Sequence, residues 1–346
     1  MKVYNDNRYI TVHPELLQLL QDVRLEYREQ LVTDLSTSEI FSPEKYALAK
    51  AKILNDYMSQ CGLDTVLIAI SGGVDSALVL KLAEFAQKQP DSPIKRIVAV
   101  TLPIYDSVLT NQPDTVSRAQ ELMSSTNCEQ YTINMQDIYN ANVNTAFNVL
   151  HEDNEWADGQ MGAYARTSFL YYLTAVINAQ GNSPILLGTT NRDEGSYLGY
   201  VGKASDGMVD VQLISDIYKS EVYATAAYLN VPESILDVTP NGDMYDGRVD
   251  TDVFGAPYSM VELFNRSKAH PYIIDEIAKL SDSAQKEWDS YADNLEKLHK
   301  YNAHKYLGLS PAVHLDLWST EVEEGYIDYH KRTQDFMQRP LLPKRS

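Results

Sequence analysis

Residues 65–76 read TVLIAISGGVDS. A β-branched and aliphatic run stops at Ser-Gly-Gly, and a helix-forming stretch, ALVLKLAEFAQK, follows. The pattern predicts a strand, a glycine turn and a helix N-terminus. Helix N-termini present unpaired N–H groups and a partial positive charge, and so hold phosphate. Gly72 and Gly73 permit the positive φ and close backbone approach that a cradle of N–H groups needs. Ser71 and Ser76 add hydroxyl donors on either side of Val74. Asp75 sets a carboxylate beside the phosphates, which a bridging cation such as Mg²⁺ makes favourable. No Gly-Lys-Ser/Thr follows, so this is not a Walker loop.

A second polar cluster spans residues 188–222 without amphipathic periodicity. Glu194 follows a short apolar run, PILLG, closely enough to face the same crevice as Asp75, and two such carboxylates form a candidate Mg²⁺ clamp. Lys203 and Lys219 are candidate partners for phosphate or carboxylate. Asp206-Gly207 reads as a turn. Asp210 opens an apolar run, where an unpaired acid is costly, so it is expected to accept a hydrogen bond from a ligand hydroxyl.

The elements that carry these groups alternate. Strands are expected at 65–70, 96–101, near 129–133 and at 184–188, with helices at 75–88, 113–125, 136–150 and 161–179. Such alternation predicts an α/β fold: a doubly wound parallel sheet with helices on both faces. Ligands in such sheets sit beyond the carboxyl ends of the strands, here the loops beginning at Ser71, Thr101 and Gly188. Two further helices, at 14–33 and 43–61, precede the first strand as a cover or dimer element. Residues 151–160 look like an exposed acidic loop. The chain turns helical and charged over 283–306, and its tail reads as loosely ordered.

Bulk composition narrows the function. The 346 residues are 44% hydrophobic and 22% charged, which marks a globular chain with material for a sizeable core. The net charge of −19 disfavours unassisted binding to nucleic acid phosphates. The sequence shows neither an apolar signal core nor a run of ~18 apolar residues, so a cytoplasmic location without membrane contact is expected. Cys61 and Cys128 form no metal or redox pattern and read as buried or half-buried small hydrophobes.

The Ser71–Ser76 loop resembles that of the N-type ATP pyrophosphatases, which cut ATP between its α and β phosphates and adenylate a substrate. The later series is more specific. GTTNRDE, GYVGKASDG, Asp210, Lys219 and TPNGDMYDGRVDTDVFG with Tyr258 resembles, in that order, the NAD synthetase family. Upstream GQMGAYARTSFLYYLTA and downstream NAHKYLGLSPAVHLDLW extend the resemblance over about 45–320. It implies an adenine nucleotide alpha hydrolase-like domain at 63–320, between an N-terminal helical segment, 1–62, and a tail, 321–346.

The same resemblance implies residue roles. Ser71, Gly72, Gly73, Val74, Asp75 and Ser76 would hold the ATP phosphates, with Asp75 and Glu194 on Mg²⁺. Thr101 and Leu102 would hold the adenine side, and Thr189, Lys219 and Asn241 would contact ATP. Arg166, Lys203, Asp210, His304 and Lys305 would contact deamido-NAD. Asp206 would serve the ammonia site by binding ammonium or accepting a proton. The implied reaction amidates deamido-NAD with ammonia through an adenylated carboxylate, in a homodimer. The alternative is a relative that adenylates and amidates another carboxylate. Tyr164 stands where the family has a first arginine, Gly202 where it has a threonine, and His330-Lys331 rivals His304-Lys305. Only 70 residues precede the loop, too few for a glutaminase domain, so free ammonia is the expected donor.

Overall fold

The structure, a computed structural model, describes residues 11–24, 41–105, 112–152, 154–242, 247–306 and 312–317. Among these, six parallel strands form one sheet in the order β3-β2-β1-β4-β5-β6. They are β1 (Thr65–Ala69), β2 (Arg96–Thr101), β3 (Glu129–Thr132), β4 (Pro184–Gly188), β5 (Val211–Gln212) and β6 (Val313–His314). Thr65 pairs with Arg96 on one side and with Pro184 on the other, so β1 lies between β2 and β4. The chain runs outward from β1 through β2 to β3, then returns to β4. Strand order therefore reverses between β1 and β4, and a crevice opens there at the carboxyl ends.

Helices cover both faces. Val66 and Ile68 join one core with α2 (Pro43–Cys61), α3 (Val74–Gln87), α4 (Gln112–Ser124) and α8 (Lys219–Tyr228). Leu67 joins the opposite core with α5 (Gln136–Leu150) and α6 (Glu155–Ala179). Both faces of β1 are sealed, which explains its unbroken apolar run. Each such side chain contributes ~1.5–3 kcal/mol by leaving water.

A third apolar cluster joins α1 (Pro14–Arg24) to α10 (Asp250–Phe254), α11 (Tyr258–Ala269), α12 (Tyr272–Ile277) and α13 (Asp282–Tyr306). Two single-turn helices, α7 (Arg192–Gly195) and α9 (Glu233–Leu236), complete the described elements.

The four expected strands and their helices are present. The stretch at 151–160 differs from expectation, since α6 begins at Glu155 rather than 161. Asn154 caps it by accepting the Ala157 amide at 3.0 Å, and Glu155 and Asp158 favour its positive end. The first expected helix is seen over Pro14–Arg24, and the rest of it lies outside the described residues. Cys61 is exposed rather than half-buried, and Cys128 is half-buried. No helix among the described residues is long and apolar enough to cross a membrane.

Candidate active site

The loop after β1 is built from short contacts. The Ser71 and Ser76 hydroxyls lie 3.1 Å apart, and the Gly73 amide donates to Ser71 Oγ at 3.3 Å. Ser76 Oγ donates to Gly73 O at 3.1 Å, which ties the loop to the first turn of α3. Gly73 is the N-cap of α3 and provides no side-chain acceptor, so among the described residues the helix start has no side-chain cap. Gly72 has φ +81°, and a Cβ there would lie 2.4 Å from Thr115 O on α4. Glycine is thus required both by backbone conformation and by space. An uncapped helix end behind such a turn suits a phosphate group.

Two acids meet across the crevice. Lys219, the first residue of α8, places Nζ 2.7 Å from Asp75 Oδ2 and 3.0 Å from Glu194 Oε1. Its side chain is 3% exposed, those of Asp75 and Glu194 20% and 16%. Asn191 joins the same acids from another side. Its Nδ2 donates to Asp75 Oδ1 at 2.8 Å, and its Oδ1 accepts the Glu194 amide at 3.2 Å as the cap of α7. Tyr258 OH lies 2.9 Å from Glu194 Oε1 and 2.8 Å from Asp250 Oδ2, so one phenolic proton serves two carboxylates. Burial, together with Asp75 and Asp250, pushes Glu194 up to about 7 against the pull of Lys219. Burial would lower Lys219, but Asp75 and Glu194 outweigh it and hold the ammonium charged.

A buried frame positions Lys219. Its backbone amide donates to Asp193 Oδ2 at 2.7 Å, and Asn265 Nδ2 donates to Asp193 Oδ1 at 3.1 Å. Asp193 is fully buried, which pushes it up to about 8. Glu221 accepts the Tyr218 amide at 3.0 Å, and Arg192 and Arg266 stack on the Tyr218 ring at 4.7 and 4.3 Å. Glu262 accepts Ser220 Oγ at 2.8 Å and pairs with Arg24 and Arg266. These arginines overcome burial and hold Glu262 down to about 2. Through Arg24, α1 is tied to the first turn of α8.

The other expected residues fall into distinct places. Val74 is buried as the first residue of α3, and Thr101 and Leu102 are buried at the end of β2. Arg166 Nε donates to Leu102 O at 2.9 Å, so the expected substrate arginine lies beside the expected adenine wall. Thr189 is half-buried directly after β4. Asn241 lies between α9 and α10, next to Pro240, whose carbonyl accepts the Asp250 amide at 3.5 Å. Lys203 and Asp206 sit exposed on the turn after Gly202, whose amide donates to Asp206 Oδ2 at 3.4 Å. Lys305, on α13, feels Asp206; burial lowers the lysine while this carboxylate opposes it. His304 belongs to α13, and its side chain lies outside the described residues, as do His330 and Lys331.

Asp210 is tied to the sheet. Its Oδ2 accepts the Leu186 amide at 2.8 Å, its amide donates to Leu186 O at 3.1 Å, and its carbonyl accepts the Val313 amide at 2.8 Å. The Leu186 amide of β4 therefore engages one of the two carboxylate oxygens. Sequence reading missed Asn191, Asp193, Asp250 and Asn265. Only Asn191 carried a local signal: Asn-x-x-Glu is a helix-start pattern.

No group of three His, Cys, Asp or Glu side chains among the described residues forms a metal site. Asp75 and Glu194 fit a cation whose remaining ligands come from phosphate and water, the usual habit of Mg²⁺. A glycine turn and helix N-terminus at the switch point of a parallel sheet, faced by two acids and a lysine, are features of an enzyme of the adenine nucleotide alpha hydrolase-like fold. The NAD synthase family model matches residues 47–306, and the chain belongs to that family.

Similar proteins agree. An NH(3)-dependent NAD(+) synthetase of Thermoplasma volcanium is 33% identical over 198 residues, covering 57% of this chain and 73% of the relative. Its counterpart in Mycoplasmopsis pulmonis is 31% identical over 265 residues, covering 73% and 89%. The solved NMN synthetase of Francisella tularensis superposes with a TM-score of 0.63 at 28% identity, covering 78% of this chain and 99% of that one.

Proposed function

We propose that this chain converts deamido-NAD to NAD with ammonia, consuming ATP and releasing AMP and pyrophosphate. The observation that carries the reading is Lys219 between Asp75 and Glu194, at the mouth of an uncapped helix. Family membership and the NH(3)-dependent relatives support the substrate and the nitrogen donor.

A carboxylate is a poor electrophile because its leaving group would be oxide. Adenylation by ATP replaces oxide with AMP, after which ammonia displaces AMP. The loop amides and the Ser71 and Ser76 hydroxyls bind the phosphates, and Asn191 and Tyr258 orient the two acids. Asp75 and Glu194 would hold Mg²⁺, whose chemistry is to neutralise charge building on the departing pyrophosphate. Without nucleotide, Lys219 pairs with both acids; with nucleotide, its ammonium stabilises the α-phosphate during attack. Asp206, exposed and close enough to act on Lys305, accepts a proton from the incoming ammonium.

The same reading includes a cytoplasmic homodimer. Phe147, Val149 and Leu150 on α5 and Trp156 and Tyr172 on α6 are 47–73% exposed, an apolar surface suited to a second copy. It also divides the chain into 1–62, 63–320 and 321–346, although α2 shares the core of the sheet.

A second reading, in which the acid is the corresponding mononucleotide, comes from the likeness to the NMN synthetase, which is 28% identical to this chain. Tyr164 also replaces a family arginine at a site 41% exposed. Incubation with ATP, Mg²⁺, ammonium and either acid, following amide and pyrophosphate, separates the two. Preference for deamido-NAD supports the first reading, and preference for the mononucleotide selects the second. Absence of pyrophosphate with both acids refutes both.

A further inference from the structure

The proposed reaction releases pyrophosphate, and one wall of the loop that would hold it carries a cation without an assigned task. Arg118 is half-buried on α4, one helical turn beyond Thr115, whose carbonyl leaves no room for a Cβ on Gly72. Its Nε donates to Gly72 O at 3.2 Å. One edge of the guanidinium is therefore fixed to the phosphate loop.

Neither Nη group has a hydrogen-bond or ion-pair partner among the described residues. Those two groups hold four of the five N–H donors. Other arginines differ. Arg24 and Arg96 each grip both carboxylate oxygens of a glutamate, and Arg266 pairs with Glu262. The chain has 48 acidic and 29 basic residues, yet no described carboxylate pairs with this arginine. Lys219 is already shared by two acids, so the site holds little positive charge of its own to meet a polyphosphate.

We propose that Arg118 is a further pyrophosphate-binding residue. Its Nε stays on Gly72, while the Nη edge donates to the outer phosphates of bound ATP and to pyrophosphate as it leaves. A planar fork does both at once, which a lysine ammonium does not. The inference rests on the ATP reading above.

Calorimetric titration with inorganic pyrophosphate and Mg²⁺, and separately with AMP, tests it on wild type, Arg118→Gln and Arg118→Lys. The expected result is pyrophosphate affinity lowered about tenfold or more in Arg118→Gln, an intermediate loss in Arg118→Lys, and AMP affinity within about twofold of wild type in both. Unchanged pyrophosphate affinity, or an equal loss for AMP, overturns the assignment in favour of simple loop support. If Arg118→Gln does not fold, Arg118→Lys alone decides by the same comparison. A wild type that ignores pyrophosphate sinks the ATP reading, and the role of Arg118 with it.

Discussion

Lys219 lies 2.7 Å from Asp75 and 3.0 Å from Glu194, so one ammonium joins acids carried by α3 and α7 on opposite sides of the β1/β4 crevice. Two carboxylates against one ammonium leave net negative charge, which attracts a further cation.

Lys219→Met should abolish turnover and destabilise the ligand-free protein by about 3 kcal/mol or more, because both acids lose their partner. Mg²⁺ without nucleotide should then stabilise the variant more than the wild type. Urea unfolding with and without Mg²⁺ measures this. An equal response would show that a divalent ion does not occupy the position of the ammonium.

Asp75→Asn and Glu194→Gln should each lower turnover by ~10²-fold or more. Steady-state rates over a range of Mg²⁺ check this, and near-normal rates at saturating Mg²⁺ would refute the clamp.

Gly72→Ala should cost about 1–3 kcal/mol and weaken pyrophosphate binding. Gly62→Ala is the control: its φ is +68°, but no atom of the described residues lies within 4 Å of the added Cβ. The difference between their urea midpoints reports the collision with Thr115. Equal losses would mean that Thr115 does not exclude a side chain at Gly72.

Asp316 supplies a pH prediction. It is fully buried, and burial and Asp216 raise it to about 7, while Lys50, Arg192 and the Ser215 hydroxyl pull it back. The folded state therefore takes up a proton that the unfolded state has released. Its contribution is complete below the unfolded value of 3.8 and is lost as pH rises through about 7. Asp316→Asn should flatten the fall in stability across that window. Urea midpoints at a series of pH values test this; parallel curves for the two proteins would exclude Asp316 as the source.

Leu150→Glu, at a position 69% exposed on α5, should shift the protein from dimer to monomer without lowering its melting temperature by more than a few degrees. Sedimentation velocity reads the mass. A wild type that is monomeric and fully active would contradict the dimer.

Much of the architecture was legible in the residues. The strands at 65–69 and 184–188 and the glycine turn at 71–73 follow from patterns a few residues long. Asp75, Glu194 and Lys219 were identifiable as reactive types. The two-residue strands β5 and β6 were not, because they exist only by pairing with β4 and with each other. The backbone partner of Asp210 was hidden for the same reason: the Leu186 amide meets its carboxylate only in the folded sheet.

What this sequence determined alone is therefore local: where the chain turns, where a helix can hold phosphate, and which residues carry charge. Propensity and periodicity act over short spans, and a single chain displays them. Only the tertiary structure decided that Lys219 faces both acids, that Asn191 ties them together, and that buried Asp193 holds the lysine backbone. Those contacts arise because β4 packs against β1 and brings distant segments to one crevice, and a side chain's electrostatics depend on which groups face it there.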